Sequence, residues 1–144
     1  MPDTYDAATR SRVMRAVKGK NTSPELRLRK ALSAQGIRGY RLHRTDIAGK
    51  PDIAFIGRRV AVFVDGAWWH GHPDKWWLGR SGDYWDAKIS RNVARDRQVD
   101  AQLLRSGWTV VRLWDFEVMK TPEDAVAKVA EALRTPTKVD RVQV

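Results

Sequence analysis

A five-residue apolar run, Val60-Ala61-Val62-Phe63-Val64, passes directly into Asp65-Gly66-Ala67-Trp68-Trp69-His70-Gly71-His72-Pro73. The run suits a short buried strand, because β-branched and aromatic side chains fit a pleated surface. Successive strand side chains point to opposite faces, so two adjacent tryptophans leaving a strand are hard to bury together. At least one ring is therefore expected to face solvent or a partner. Five of the seven tryptophans fall between Asp65 and Trp85, packed around His70.

Charge suggests what that partner is. The net charge is +10, and residues 1–50 carry 12 Lys/Arg against 4 Asp/Glu, so most of the excess lies at the N-terminal end. A basic face with exposed aromatic rings is the footprint of a nucleic-acid-binding protein. A length of 144 residues with 42% hydrophobic content fits one domain spanning 1–144. No apolar run approaches the roughly 20 residues of a membrane helix. The N-terminus lacks a signal-peptide pattern, so a cytoplasmic placement and no membrane partner are the default expectations. There is no cysteine, which excludes disulfides and thiolate zinc ligands.

The element order expected is α-α-β-β-β-α-β-α, which implies an α/β fold with helices packed on a mixed central sheet. A basic first helix runs from about Ala7 to Val17, within residues 1–20. The second spans Pro24 to Gln35, with Ser23 as N-cap, Pro24 in the first turn and Gly36 after the end. Strands are expected at Tyr40 to His43, Asp52 to Ile56 and Val60 to Val64, the last two joined by a tight turn at Gly57-Arg58. Residues 71–83 read as an irregular loop carrying Trp76 and Trp77. A long helix covers Asp83 to Ser106, closed by Gly107, and Trp108 to Trp114 forms the fourth strand. The helical crossover favours parallel pairing of the third and fourth strands. A last helix starts at Thr121-Pro122-Glu123-Asp124 and ends near Arg134, with 135–144 as a loose tail.

Four side chains carry chemistry. Pro51 is expected to hold Lys50 extended, so that Asp52 enters its strand as an oxygen ligand for a hard cation. His70 supplies a base of suitable pKa. On a helical wheel Asp96 sits in the middle of the apolar stripe formed by Trp85, Ile89, Val93, Val99 and Leu103, at about 20° from Trp85. A buried carboxylate needs a partner, and the pattern leaves two: an arginine in a structural ion pair, or His70, whose ring it would orient. Glu25 borders the buried side of its helix, where a first-turn carboxylate also complements the helix dipole. The pair His70 and His72 has metal-like spacing but lacks third and fourth ligands, Asp74 being the one addition.

These segments together resemble the very-short-patch repair (Vsr) family of DNA mismatch endonucleases, within the PD-(D/E)XK nuclease superfamily. The resemblance rests on Arg12-Val13-Met14-Arg15-Ala16-Val17, Thr22-Ser23-Pro24-Glu25, Gly49-Lys50-Pro51-Asp52, Val62-Phe63-Val64-Asp65-Gly66 and Trp68-Trp69-His70. It continues through Tyr84-Trp85, Lys88-Ile89 with Asn92, Arg95-Asp96-Arg97, and Gly107-Trp108 leading to Leu113-Trp114-Asp115. It implies a nick in one strand of double-stranded DNA, 5′ to the thymine of a T·G mismatch, made by a monomer. Asp52 and the backbone carbonyl of Val64 would ligate Mg²⁺, and His70, oriented by Asp96, would activate water with support from Glu25. Trp68, Trp69 and Trp85 match the family's aromatic wedge. Met14, with Arg12, Arg15 and Lys18, would approach the duplex from the minor-groove side. The family usually also carries a structural zinc on cysteines and histidine. Here the corresponding positions hold Ala67, His72, Asp74 and Phe116, of which at most two could ligate. The resemblance thus implies a zinc-free version in which Ala67 and Phe116 substitute apolar packing. Two alternatives stay open on the sequence: a nickase of broader specificity, and a DNA-distortion binder with weak or lost nuclease activity.

Overall fold

The computed structural model describes residues 21–75 and 77–134. The helix expected over residues 7–17, the side chains of Arg12, Met14, Arg15 and Lys18, the tail 135–144 and Trp76 lie outside the described residues. Among the described residues, four strands form one mixed sheet in the order β1 (Arg41–Leu42), β2 (Ile53–Phe55), β3 (Val60–Asp65), β4 (Thr109–Trp114). The first two pairings are antiparallel, and β3 runs parallel to β4 from Val60 opposite Thr109 to Asp65 opposite Trp114. Parallel neighbours require a long crossover, and here it contains a 23-residue helix. In chain order the helices are α1 (Ser23–Ala34), α2 (Asp83–Arg105), α3 (Asp115–Lys120) and α4 (Pro122–Arg134). No helix among the described residues is long and apolar enough to cross a membrane.

The period-2 alternation of β3 divides the interior. Val60 and Val62 join Ile53, Phe55, Val111 and Leu113 against Leu28 and Leu32 of α1, Val118 of α3 and the inner face of α4. Ala61 and Phe63 point the other way, toward Leu103 and Val99 of α2. By the same alternation Asp65 emerges on the α2 side. Leu28 and Leu32 are fully buried, and truncating either to alanine would cost about 2–5 kcal/mol.

Several boundaries differ from expectation, each for a local reason. Thr22, not Ser23, is the N-cap of α1, and it makes no side-chain cap bond; Glu25 takes the Asn21 N–H instead. The turn between β2 and β3 uses four residues, Ile56 to Arg59, because Arg59 adopts φ +54° and bonds back to Ile56 O at 3.2 Å. His43 has φ +50°, so the extended backbone of β1 stops at Leu42. Helix α3 follows β4 without a loop and has no counterpart in the expected order. It is nucleated by the Glu117 carboxylate, which accepts the Trp114 N–H at 3.2 Å.

Candidate active site

Asp52 stands at the entrance to β2. Its backbone approach is not the extended one expected: Lys50 has φ +52°, a left-handed conformation directly before Pro51. The chain enters this bend at Gly49, which also has positive φ and lies against Val99 and Phe63. Asp52 Oδ2 accepts the Val64 N–H at 2.7 Å, across the gap where β2 has not yet begun. A strand residue projects its N–H and C=O toward the same edge, so the Val64 carbonyl leaves β3 on the side of Asp52.

Glu25 is buried, and its Oε2 accepts from the Asn21 N–H at 3.1 Å and from His43 Nε2 at 2.8 Å. One ligand atom from each of Glu25, His43 and Asp52 fits within 4.8 Å of the others. Burial pushes the Asp52 carboxyl up to about 7; the Val64 N–H opposes this, and the carboxylates of Glu25 and Asp65 reinforce it. Two crowded carboxylates offer oxygen donors of the kind that suits Mg²⁺, with the His43 nitrogen beside them.

The second half of the site lies on the α2 side. His70 sits in the turn after β3, and its Nδ1–H donates to Asp96 Oδ2 at 2.5 Å. The turn that carries it is tied to α2 by Asn92, whose Nδ2 donates to the neighbouring Trp69 carbonyl at 3.0 Å. Burial depresses the imidazole pKa, but the Asp96 hydrogen bond and the charges of Asp65 and Asp96 outweigh it, leaving the pKa raised. Of the two partners open to Asp96 in the sequence, the structure gives both: His70 in direct contact and Arg112 Nη1 at 3.8 Å. Glu25, Asp52, Val64 and His70 all line one cavity of about 580 Å³, with Lys50 and Arg95 on its walls.

The tryptophans form a three-ring knot. Trp68, Trp69 and Trp85 meet edge to face at centroid distances of 4.9, 5.1 and 5.6 Å. Trp69 is the buried member, while Trp68 and Trp85 are half-buried and Tyr84 beside them is exposed. The adjacent pair thus divides between interior and surface, although both rings lie in the turn after β3 and not in the strand itself. Where Ala67, His72 and Phe116 meet, the His72 ring packs edge-on against Trp114 at 4.8 Å and Phe116 at 5.1 Å. Its Nδ1 accepts the Asp74 N–H at 3.1 Å. Ala67 is buried and donates its N–H to Asp115 Oδ1 at 3.2 Å, so the junction is closed by rings and one carboxylate.

Sequence reasoning missed two residues of this centre. His43 gave no signal, since its place depends on a left-handed backbone. Arg112 did give one: a cation inside the apolar run Val110-Val111-Arg112-Leu113 poses the same question as Asp96 in its helix.

A mixed sheet that presents a buried carboxylate, a strand carbonyl and an Asp-oriented histidine in one cavity defines a metal-dependent nuclease of the PD-(D/E)XK type. The comparisons with known proteins agree. The family model described as DNA mismatch endonuclease Vsr matches residues 2–76, and the chain belongs to that family. It is 41% identical over 147 residues to the type II nicking enzyme V.NmeDIP of Neisseria meningitidis serogroup C, covering 98% of this chain and 97% of that protein. The type II nicking enzyme V.NaeI of Lentzea aerocolonigenes is 43% identical over 90% of this chain and 81% of its own length. The DNA mismatch endonuclease Vsr of Escherichia coli is 34% identical over 80% of this chain and 74% of its own.

Proposed function

We propose that this chain is a Mg²⁺-dependent endonuclease that nicks one strand of duplex DNA 5′ to the thymine of a T·G mismatch. The observation that carries the reading is the single cavity shared by Glu25, Asp52, Val64 and His70. Asp52 and the Val64 carbonyl would hold the ion, with Glu25 orienting its water shell. When bound, Mg²⁺ supplies charge stabilisation to the phosphate and the departing oxygen. His70 takes the proton of the attacking water at Nε2, because Nδ1–H is committed to Asp96. One centre cuts one strand, so a monomer suffices for a nick.

The aromatic knot supports recognition of distorted DNA. Trp69 anchors the group in the interior, and Trp68 and Trp85 present partly exposed rings. Separating a base step costs a few kcal/mol, and stacking on an indole returns about 1–3 kcal/mol per base. The family resemblance assigns Arg12, Met14, Arg15 and Lys18 to the opposite side of the duplex, and the N-terminal excess of charge is consistent with it.

The test is cleavage of a T·G duplex and its fully paired counterpart, with and without Mg²⁺. The wild type should nick the mismatched duplex alone, and His70→Ala should lower the rate by about 10²–10⁴-fold. Asp52→Asn should abolish nicking, whereas Trp68→Ala should mainly weaken affinity for the mismatch. Nicking that survives in Asp52→Asn, or that proceeds equally on paired DNA, would reject the reading.

A further inference from the structure

Two carboxylates, Asp65 and Asp96, crowd around one imidazole on the α2 side of the sheet, and a third, Asp100, stands beyond them on Arg112. Asp65 comes from β3, Asp96 and Asp100 from successive turns of α2, and His70 from the turn after β3. Asp96 holds the ring at 2.5 Å, yet Asp65 Oδ1 lies 3.9 Å from the same Nδ1. Two acceptors compete for one N–H, and whichever takes it decides where Nε2 points. The intrinsic chemistry of two aspartates does not separate them.

Their surroundings do. Arg112 reaches in from β4, and its Nη1 donates to both Asp65 oxygens, at 3.0 and 3.1 Å, while Nε donates to Asp100 Oδ1 at 2.8 Å. The guanidinium lies 4.2 Å from the Phe63 ring centroid, its cross-strand neighbour in the β3–β4 register, which limits its plane. A planar fork can occupy two carboxylates in fixed directions at once; an ammonium is a point donor and cannot do so as rigidly. Arg112 lines an adjoining cavity of about 420 Å³ with Asp65, His70 and Asp96, not the one that Asp52 shares with His70, which places it to act through those side chains.

We infer that Arg112 is a positioning residue for strand cleavage: by engaging Asp65 and Asp100 it leaves Asp96 as the acceptor for His70 Nδ1–H and keeps Nε2 aimed into the cavity. This rests on the reading of His70 as the base, so its test needs a readout independent of nicking. The experiment combines imidazole ¹H–¹⁵N spectra of the full chain with nicking kinetics on the T·G duplex. The proteins are wild type, Arg112→Lys, Arg112→Met, and Arg112→Met combined with Asp65→Asn.

In the wild type His70 should show a single Nδ1–H tautomer with a strongly hydrogen-bonded ring proton. Arg112→Met should broaden or split that signal and lower kcat about 10- to 100-fold with KM unchanged, a partial loss of the roughly 10²–10⁴-fold that a general base supplies. Adding Asp65→Asn removes the charged competitor and should recover most of kcat and the single ring signal. Arg112→Lys should fall between, and it serves as the probe if the methionine variant does not fold. An unchanged ring spectrum and kcat in Arg112→Met, or in Arg112→Lys where that is the folded variant, would overturn the inference. So would a loss of kcat that follows melting temperature and is not recovered by Asp65→Asn. A wild type that does not nick, but whose ring signal responds to these substitutions as expected, would reject His70 as the base and leave the hold of Arg112 on the ring standing.

Discussion

At the residue scale, Asp52 shows what the fold sacrifices for its chemistry. Its carboxyl is raised from 3.8 to about 7, chiefly by burial. An acid that binds its proton more tightly in the folded than in the unfolded chain stabilises the fold fully below its unfolded pKa. That stabilisation is lost as pH rises through the folded value. Without divalent cation, therefore, this group makes the protein progressively less stable between about pH 4 and pH 7. Asp52→Asn stays neutral throughout and keeps an oxygen to accept the Val64 N–H. In thermal melts with a chelator at about pH 8, the variant should melt above the wild type, and the gap should close toward about pH 4. Mg²⁺ should raise the wild-type melting temperature at the higher pH and leave the variant unmoved. A chelated variant that melts below the wild type at that pH would show that Asp52 is not held as a frustrated carboxylate.

At the element scale, the strongly periodic pieces were readable and the junctions were not. The apolar run of β3 and the apolar stripe of α2 located their elements, and Asp96 stood out because a charge interrupted that stripe. The parallel β3–β4 pairing followed from the crossover helix. Helix α3 escaped because it is six residues long and starts where β4 stops, on a contact between Trp114 and Glu117. His43 and Lys50 escaped because both rely on left-handed backbone, which lysine does not announce and histidine announces only weakly. The bend before Pro51 depends on Gly49, where an added Cβ would lie 2.4 Å from Val99 Cγ1 and 3.2 Å from the Phe63 ring. Gly49 also has φ +77°, so Gly49→Ala meets both a clash and an unfavourable backbone. The expected cost is about 1–3 kcal/mol, read as a lowered denaturation midpoint. Adding Val99→Ala should recover the part due to the clash and leave the backbone part. Full stability in Gly49→Ala would mean that the loop shifts freely away from α2.

At the scale of the whole molecule, charge is unevenly spread along the sequence. The net charge is +10, yet the centre around His70 gathers Asp65, Asp96 and Asp100 about the single guanidinium of Arg112. An acidic centre repels a polyanion, so cations outside those three carboxylates have to supply the attraction to DNA. Residues 1–50 hold 12 of the 27 Lys/Arg but only 4 of the 17 Asp/Glu, and Arg12, Arg15 and Lys18 belong to that excess. If these three contact phosphates, each releases condensed counterions on binding, and the slope of log K against log salt changes by about 0.9 per contact. Replacing all three by glutamine should therefore flatten the slope by about 3 and weaken paired and mismatched duplexes alike. Because the substitutions leave Asp52, His70 and Asp96 in place, kcat at saturating DNA should stay near the wild-type value. Titrations across a range of salt concentrations, beside single-turnover nicking, separate the two effects. A slope unchanged by the triple substitution would move the phosphate contacts to the cations around the cavity, Lys50 and Arg95 among them, and would make the acidic centre its own electrostatic guide.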